Sequence, residues 1–211
     1  MPNLLWFVWE KDVDGYRIEE LEPEDDARAE GKTPHLVPIG RAALRYRPLD
    51  EHPGMFMEFG YELQNIESAK TFSEKYGLLE STDRPMSLSY WRHECGRMRV
   101  LIEAWKGGVE FVGDLRPTIR LFNHLKLAPL SVMFEQAWDS LHPALYIVPN
   151  NLLSALWLQF AQAVSSNTEF RKCLYCPAWF TFGPGTGRRK TAFYCSARCR
   201  RAAHRSREKQ R

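Results

Sequence analysis

Acidic residues are almost missing from the end of this 211-residue chain: after Phe170 there is one, Glu208, against 12 Lys or Arg, while residues 1–170 hold 25 against 17. The net charge of +3 therefore joins a segment of +11 to one of −8. A division of that kind marks a chain in which one part meets a polyanion and the other does not. Long apolar runs are missing too. The longest apolar helical stretch, Asn151 to Val164, is about half the length of a membrane span and carries Gln159 and Gln162. The first dozen residues hold an apolar run too short, and too lightly flanked by positive charge, for a secretory signal. The expectation is a soluble protein of the cytoplasm with no membrane partner. Internal repeats are absent, and a hydrophobic content of 44% is enough for a packed core.

Cysteine is scarce and unevenly spent. Of five cysteines, four form two close pairs, Cys173 with Cys176 and Cys195 with Cys199, separated by eighteen residues. A secreted disulfide scaffold would spread an even number through a short chain. A redox motif would place its pair at the start of a helix in a thioredoxin-like context, which Pro177 and the strand-like Trp179 to Phe182 do not provide. Two pairs at this separation instead let one tetrahedral Zn²⁺ collect four thiolates at about 2.3 Å. The shell is then closed, with no position for substrate water, so the ion is expected to be structural. His204 lies too far beyond Cys199 to compete as a ligand once four sulfurs are in place.

The first pair predicts a tight knuckle. Trp179 to Phe182 and Thr191 to Tyr194, joined by the turn Gly183 to Gly187, read as a hairpin, and the second pair as the first turn of a helix running from Cys195 to Arg211. Knuckle, hairpin and helix together describe a treble-clef zinc finger. The string from Gly183 to Thr191 is not a phosphate-binding P-loop, because it lacks the glycine five residues before a Gly-Lys-Thr and does not open a helix. Between Pro177 and Tyr194 there is no histidine or carboxylate to activate water, so a nuclease, and an enzyme in general, is not expected.

The helix is cationic on most of its surface. Arg198, Arg200, Arg201, His204, Arg205 and Arg207, with Arg188, Arg189 and Lys190 in the preceding turn, are the candidate nucleic-acid contacts. Arginine outnumbers lysine there, which suits bidentate contacts to phosphate or guanine edges. A helix of this length, about 25 Å, can lie along a major groove. RNA is a second candidate, but several of Tyr175, Trp179, Phe180, Phe182, Phe193 and Tyr194 must form the small core of the finger, so no base-stacking platform is expected.

Before the cysteines, the sequence reads as mixed helix and strand. Leu4 to Trp9 is expected to pair with Tyr16 to Leu21 across the turn Asp12 to Gly15, and Glu22 to Pro38 to be a surface loop, its acidic cluster Glu22, Glu24, Asp25 and Asp26 solvated. Asn65 to Tyr76 reads as a helix closed by Gly77. A longer helix takes Pro85 into its first turn, buries Leu88, Trp91, Cys95, Met98, Ile102 and Trp105, and ends at Gly107 and Gly108. Cys95 is then a buried thiol, facing away from His93. Val109 to Val112, Val132 to Glu135 and Leu145 to Val148 read as strands, and Leu152 to Val164 as a helix. Trp91, Trp105, Trp138 and Trp157 are expected to serve core packing, with a small-molecule pocket as the rival use.

The run Arg171-Lys-Cys-Leu-Tyr-Cys, with Phe180, Phe193-Tyr-Cys-Ser, Cys199 and Ala202-Ala203-His204-Arg205, resembles the CGNR-type zinc fingers of bacterial transcription regulators. In that family the finger follows an N-terminal domain, often called ABATE, thought to sense stress or a ligand. The resemblance covers about the last sixty residues; the family's Cys-Gly-Asn-Arg is replaced by Cys199-Arg200-Arg201-Ala202. It implies zinc at Cys173, Cys176, Cys195 and Cys199, but nothing that rests on the Gly-Asn pair. The expected architecture is thus α+β, an N-terminal domain over residues 1–165 with a possible sensor role and a zinc finger over 166–211. The expected function is zinc-dependent DNA binding in transcription regulation. The rival is a protein-interaction module engaging an acidic partner or its own acidic N-terminal domain.

Overall fold

The computed structural model describes residues 7–22, 31–40, 42–62, 65–106, 120, 122–123, 130–135, 144–176 and 178–208. The fold is α+β, with the order β1 (Trp9–Asp12), β2 (Tyr16–Leu21), β3 (Thr33–Pro38), β4 (Ala43–Tyr46), α1 (Pro48–Glu51), α2 (Met55–Glu62), α3 (Ile66–Tyr76), β5 (Met86–Ser87), α4 (Leu88–Trp105), β6 (Leu130–Glu135), β7 (Ala144–Pro149), α5 (Leu152–Ser165), β8 (Glu169–Lys172), β9 (Trp179–Phe182) and α6 (Ala197–Glu208). The strands form small antiparallel sheets: β1 with β4, β2–β3–β5, β6 with β7, and β8 with β9. Among the described residues no helix is long and apolar enough to cross a membrane.

Local side-chain chemistry sets the helix ends. Asn65 Oδ1 accepts from the Ser68 amide at 2.8 Å and starts α3, and Gly77, at φ 90°, stops it. A Cβ at Gly77 would also lie 2.7 Å from the carbonyl oxygen of Glu10. Asn151 caps α5 in the same way, accepting from the Ser154 amide at 2.8 Å. For α4 the cap is Ser87, and Pro85 lies outside the first turn because Met86 and Ser87 are first used to pair with β3. The predicted stripe of α4 is buried at Leu88, Trp91, Cys95, Met98 and Ile102. The Cys95 thiol donates to the Phe59 carbonyl at 3.1 Å, and burial pushes its pKa up to about 11.

Two expectations for the N-terminal strands do not hold. The turn Asp12 to Gly15 exists, but β1 and β2 do not pair across it; β1 pairs with β4 and β2 with β3. The buried Asp12 carboxylate accepts from the amides of Asp14 and Gly40, pinning the turn to the β3–β4 connection and carrying the chain from one sheet to another. The second half of the expected loop, Thr33–Pro38, is instead the central strand of its sheet, with Leu36 fully buried. Pro34 and Pro38 are tolerated because β5 pairs only with His35 and Leu36 between them. Val132 to Glu135 and Leu145 to Val148 lie in β6 and β7. Leu4 to Trp6 of the expected first strand, Val109 to Val112, Gly107, Gly108, Trp138, the cluster Glu24, Asp25 and Asp26, and Lys209 to Arg211 of the expected last helix lie outside the described residues.

The core lies where α2, α4 and α5 meet. Met55, Phe56, Met57 and Phe59 of α2 are all inaccessible or nearly so, as are Trp91 and Trp157, which therefore pack rather than line a cavity. Helices α2 and α4 touch at Gly60, where a Cβ would come within 2.6 Å of Ile102 Cδ1. Gln159 ties α5 to the start of α2: its amide donates to the His52 carbonyl at 2.8 Å, and its oxygen accepts from the Phe56 amide.

Candidate metal centre and its basic surface

The four cysteines are carried by a hairpin and a helix, though not the expected hairpin. Trp179–Phe182 pairs with the upstream β8, in the register Glu169 to Phe182, Phe170 to Thr181, Arg171 to Phe180 and Lys172 to Trp179. Thr191 to Tyr194 is not a strand, and beyond β9 there is only a bridge between Gly183 and Arg188 that closes the glycine-rich turn. The reason is local: Cys173 to Cys176 reverses the chain, so the segments on either side of the knuckle become neighbours. Cys173 N donates to the Ala178 carbonyl at 2.9 Å across that reversal.

Because side chains alternate along a strand, this hairpin has two working faces. Phe170 and Trp179 point into the main core. Phe170 meets Phe56 edge-on at 5.2 Å, and Trp179 stacks on Tyr61 at 5.8 Å with the Lys106 ammonium 5.0 Å from its ring centre. Trp179 leaves room for nothing larger than glycine at 54, where a Cβ would sit 2.8 Å from its own Cβ. The opposite face carries Phe180 and Phe182, which are buried with Cys173 and Cys199 in a second, smaller cluster.

At that cluster the four Sγ atoms lie within 4.8 Å of one another. Cys176 and Cys195 sulfurs are 3.4 Å apart, and those of Cys195 and Cys199 3.5 Å. Four thiolates at about 2.3 Å from one tetrahedral ion would stand about 3.8 Å apart, so the set is already close to the required size. Charge points the same way. Burial alone would raise the Cys173 pKa, but amide groups of Cys176, Cys195 and Tyr175 bring it down to about 6. Burial and the neighbouring sulfurs drive Cys195 up to about 12. Four sulfurs this close cannot all ionise unless a cation joins them, and this donor set fits a metal ion.

Helix α6 begins at Ala197, two residues later than expected, so Cys195 precedes the helix and Cys199 lies in its first turn. Ser196 is the reason: its Oγ accepts from the Cys199 amide at 3.2 Å and its carbonyl from the Arg200 amide at 3.1 Å, the bonds of a helix N-cap. The helix packs on the hairpin through Cys199, buries Ala203 one turn further on, and exposes Arg198, Arg200, Arg201, His204, Arg205 and Arg207.

Not all of the candidate contacts are unengaged. Arg188 donates to the Cys195 carbonyl at 3.2 Å and lies over the Phe180 ring, and Arg207 donates to the Tyr194 hydroxyl. His204 faces Glu208 at 3.3 Å. Arg189, Lys190, Arg198, Arg200, Arg201 and Arg205 have no ion-pair partner among the described residues. The turn with Arg189 and Lys190 borders an open groove of about 470 Å³ whose floor is Gly183, Pro184, Gly185 and Gly187. Sequence reasoning missed three residues here: Arg171 donates to the carbonyls of Lys190 and Ala192, fixing the turn, and Phe193 and Tyr175 lie exposed beside the basic surface.

No family model, curated protein or solved structure matches the chain.

Proposed function

We propose that the chain is a zinc-dependent nucleic-acid-binding protein whose ligand is DNA and whose role is control of transcription. One observation carries this reading: α6 is anchored at its first turn in the four-sulfur centre and turns an unneutralised arginine face outward. Zinc has the matching preferences, four thiolates in a tetrahedron with no vacant site. Cys173, Cys176, Cys195 and Cys199 hold it, and its part is to fix the start of α6 against the hairpin. Arg198, Arg200, Arg201 and Arg205 with Arg189 and Lys190 take phosphates or base edges. A closed shell makes the ion structural, and the reading is one of binding. The finger's resemblance to the fingers of bacterial regulators points the same way.

The test is fluorescence anisotropy of the zinc-loaded full chain with a random-sequence DNA duplex across a salt series. Neutralisation of about six phosphates gives a slope near −5 in log affinity against log salt. Loss of binding on chelation is expected too. Salt-independent binding, or none at low salt, would turn the reading toward an acidic protein partner.

A further inference from the structure

Among its described residues the finger exposes three large apolar side chains: Leu174 at 70%, Tyr175 at 48% and Phe193 at 52%. They belong to one place. The Leu174 amide donates to the Phe193 carbonyl at 3.1 Å, so the tip of the knuckle and the segment leading into α6 lie side by side. Phe193 is not loosely displayed. The Arg171 guanidinium sits over its ring, Cζ 5.1 Å from the centroid, and over Phe182 at 4.1 Å. That guanidinium is in turn held by the carbonyls of Lys190 and Ala192, at 3.1 and 2.7 Å. The exposed ring is therefore pre-positioned and backed by a cation. Basic residues lie close along the chain: the Lys190 carbonyl shares the Arg171 guanidinium, Arg189 precedes it in the turn, and Arg207 bonds the hydroxyl of the neighbouring Tyr194.

Exposed aromatics cost solubility, and a chain keeps a cluster of them where a partner covers it. The partner chemistry follows from the mixture: a polyanion that also offers flat π surfaces. Paired bases in a duplex are stacked on one another and show only their edges, so a protein ring has nothing to stack on. Unpaired bases offer their faces, and stacking on protein aromatics recurs in single-strand recognition. We infer that the finger's ligand is nucleic acid with unpaired bases, Phe193 and Tyr175 stacking on bases while Arg189, Lys190 and the α6 arginines take the phosphates. This rests on the nucleic-acid reading above and narrows it.

The experiment compares a labelled mixed-sequence 20-nucleotide DNA strand with its duplex, by anisotropy at one salt concentration. It uses the zinc-loaded full chain as wild type and as Phe193→Ala, Phe193→Trp, Tyr175→Ala and Arg201→Ala. The single strand should bind at least about tenfold tighter than the duplex. Each aromatic-to-alanine change should weaken single-strand binding by roughly five- to a hundredfold while leaving duplex binding unchanged. Phe193→Trp should retain single-strand affinity, and Arg201→Ala should weaken both ligands. If Phe193→Ala loses its metal, Tyr175→Ala and Phe193→Trp decide. Tight duplex binding with silent aromatic variants overturns the inference and leaves the nucleic-acid reading standing, whereas failure to bind either ligand removes both.

Discussion

Between Phe7 and Ala163 the described residues close around one apolar core in which Phe56, Phe59, Trp91 and Trp157 are almost inaccessible, whereas beyond Lys172 the buried apolar cluster among the described residues is Cys173, Phe180, Phe182 and Cys199. The first region, the body, spreads its stability over many contacts. In the second, the finger, little surface is hidden, and on the proposed reading its stability rests on a metal held by the four cysteines. The two should therefore fail differently.

The largest effect separates them most sharply. Chelation, or Cys176→Ser, should remove on the order of 10 kcal/mol from the finger and melt α6, while the body keeps its cooperative transition. Circular dichroism and a thermal scan read both at once; simultaneous collapse of the body would show that the comparison is drawn too strongly. Thiol counting sharpens it: a metal-loaded chain should react slowly at all five cysteines, chelation should release four, and Cys95 should wait for denaturant. Acid should act on the finger as chelation does. Metal binding displaces protons, above all from Cys195, so affinity rises with pH and falls again below about pH 6, where Cys173 also becomes protonated. Competition with a chromophoric chelator at pH 5.5 and 7.5 checks the sign.

Next in size, Phe59→Ala or Trp157→Ala should cost the body about 3–5 kcal/mol and lower its melting temperature while the metal content stays at one ion per chain. Gly54→Ala acts at the seam: its Cβ collides with Trp179, with about 1–3 kcal/mol of overpacking expected, and faster amide exchange in β9 would register it. Smallest is Asn151→Ala, which should cost about 1 kcal/mol through the cap of α5, with Asn151→Ser restoring most of it in a denaturant melt.

What was legible in the sequence was local. Cysteine spacing located the four-sulfur cluster, and Asn65, Gly77 and Asn151 bounded their helices, because each cap acts within a few residues of itself. Strand partners were not legible, since the Asp12 turn serves two sheets and its pinning partner, Gly40, lies 28 residues away. Helix α2 went unread because Met55, Phe56 and Met57 are buried in succession beside Phe59, which blurs the three- and four-residue steps of a helical face. β8 went unrecognised for the same kind of reason: its partner lies across the knuckle, and four residues alternate too briefly to signal a strand. That Phe193 and Tyr175 are the aromatics left exposed was not legible, because composition does not say which rings a small domain has room to hide.

The two faces of the β8–β9 hairpin decide what can be cut from this chain. A fragment starting at Cys173 would lack Arg171, which fixes the basic turn, and one starting at Glu169 would leave Phe170 and Trp179 facing water. The finger is thus not a cassette. Transplanting it onto another protein requires carrying β8 along and recasting Phe170 and Trp179 as polar residues, so that a surface evolved as a joint becomes an outside.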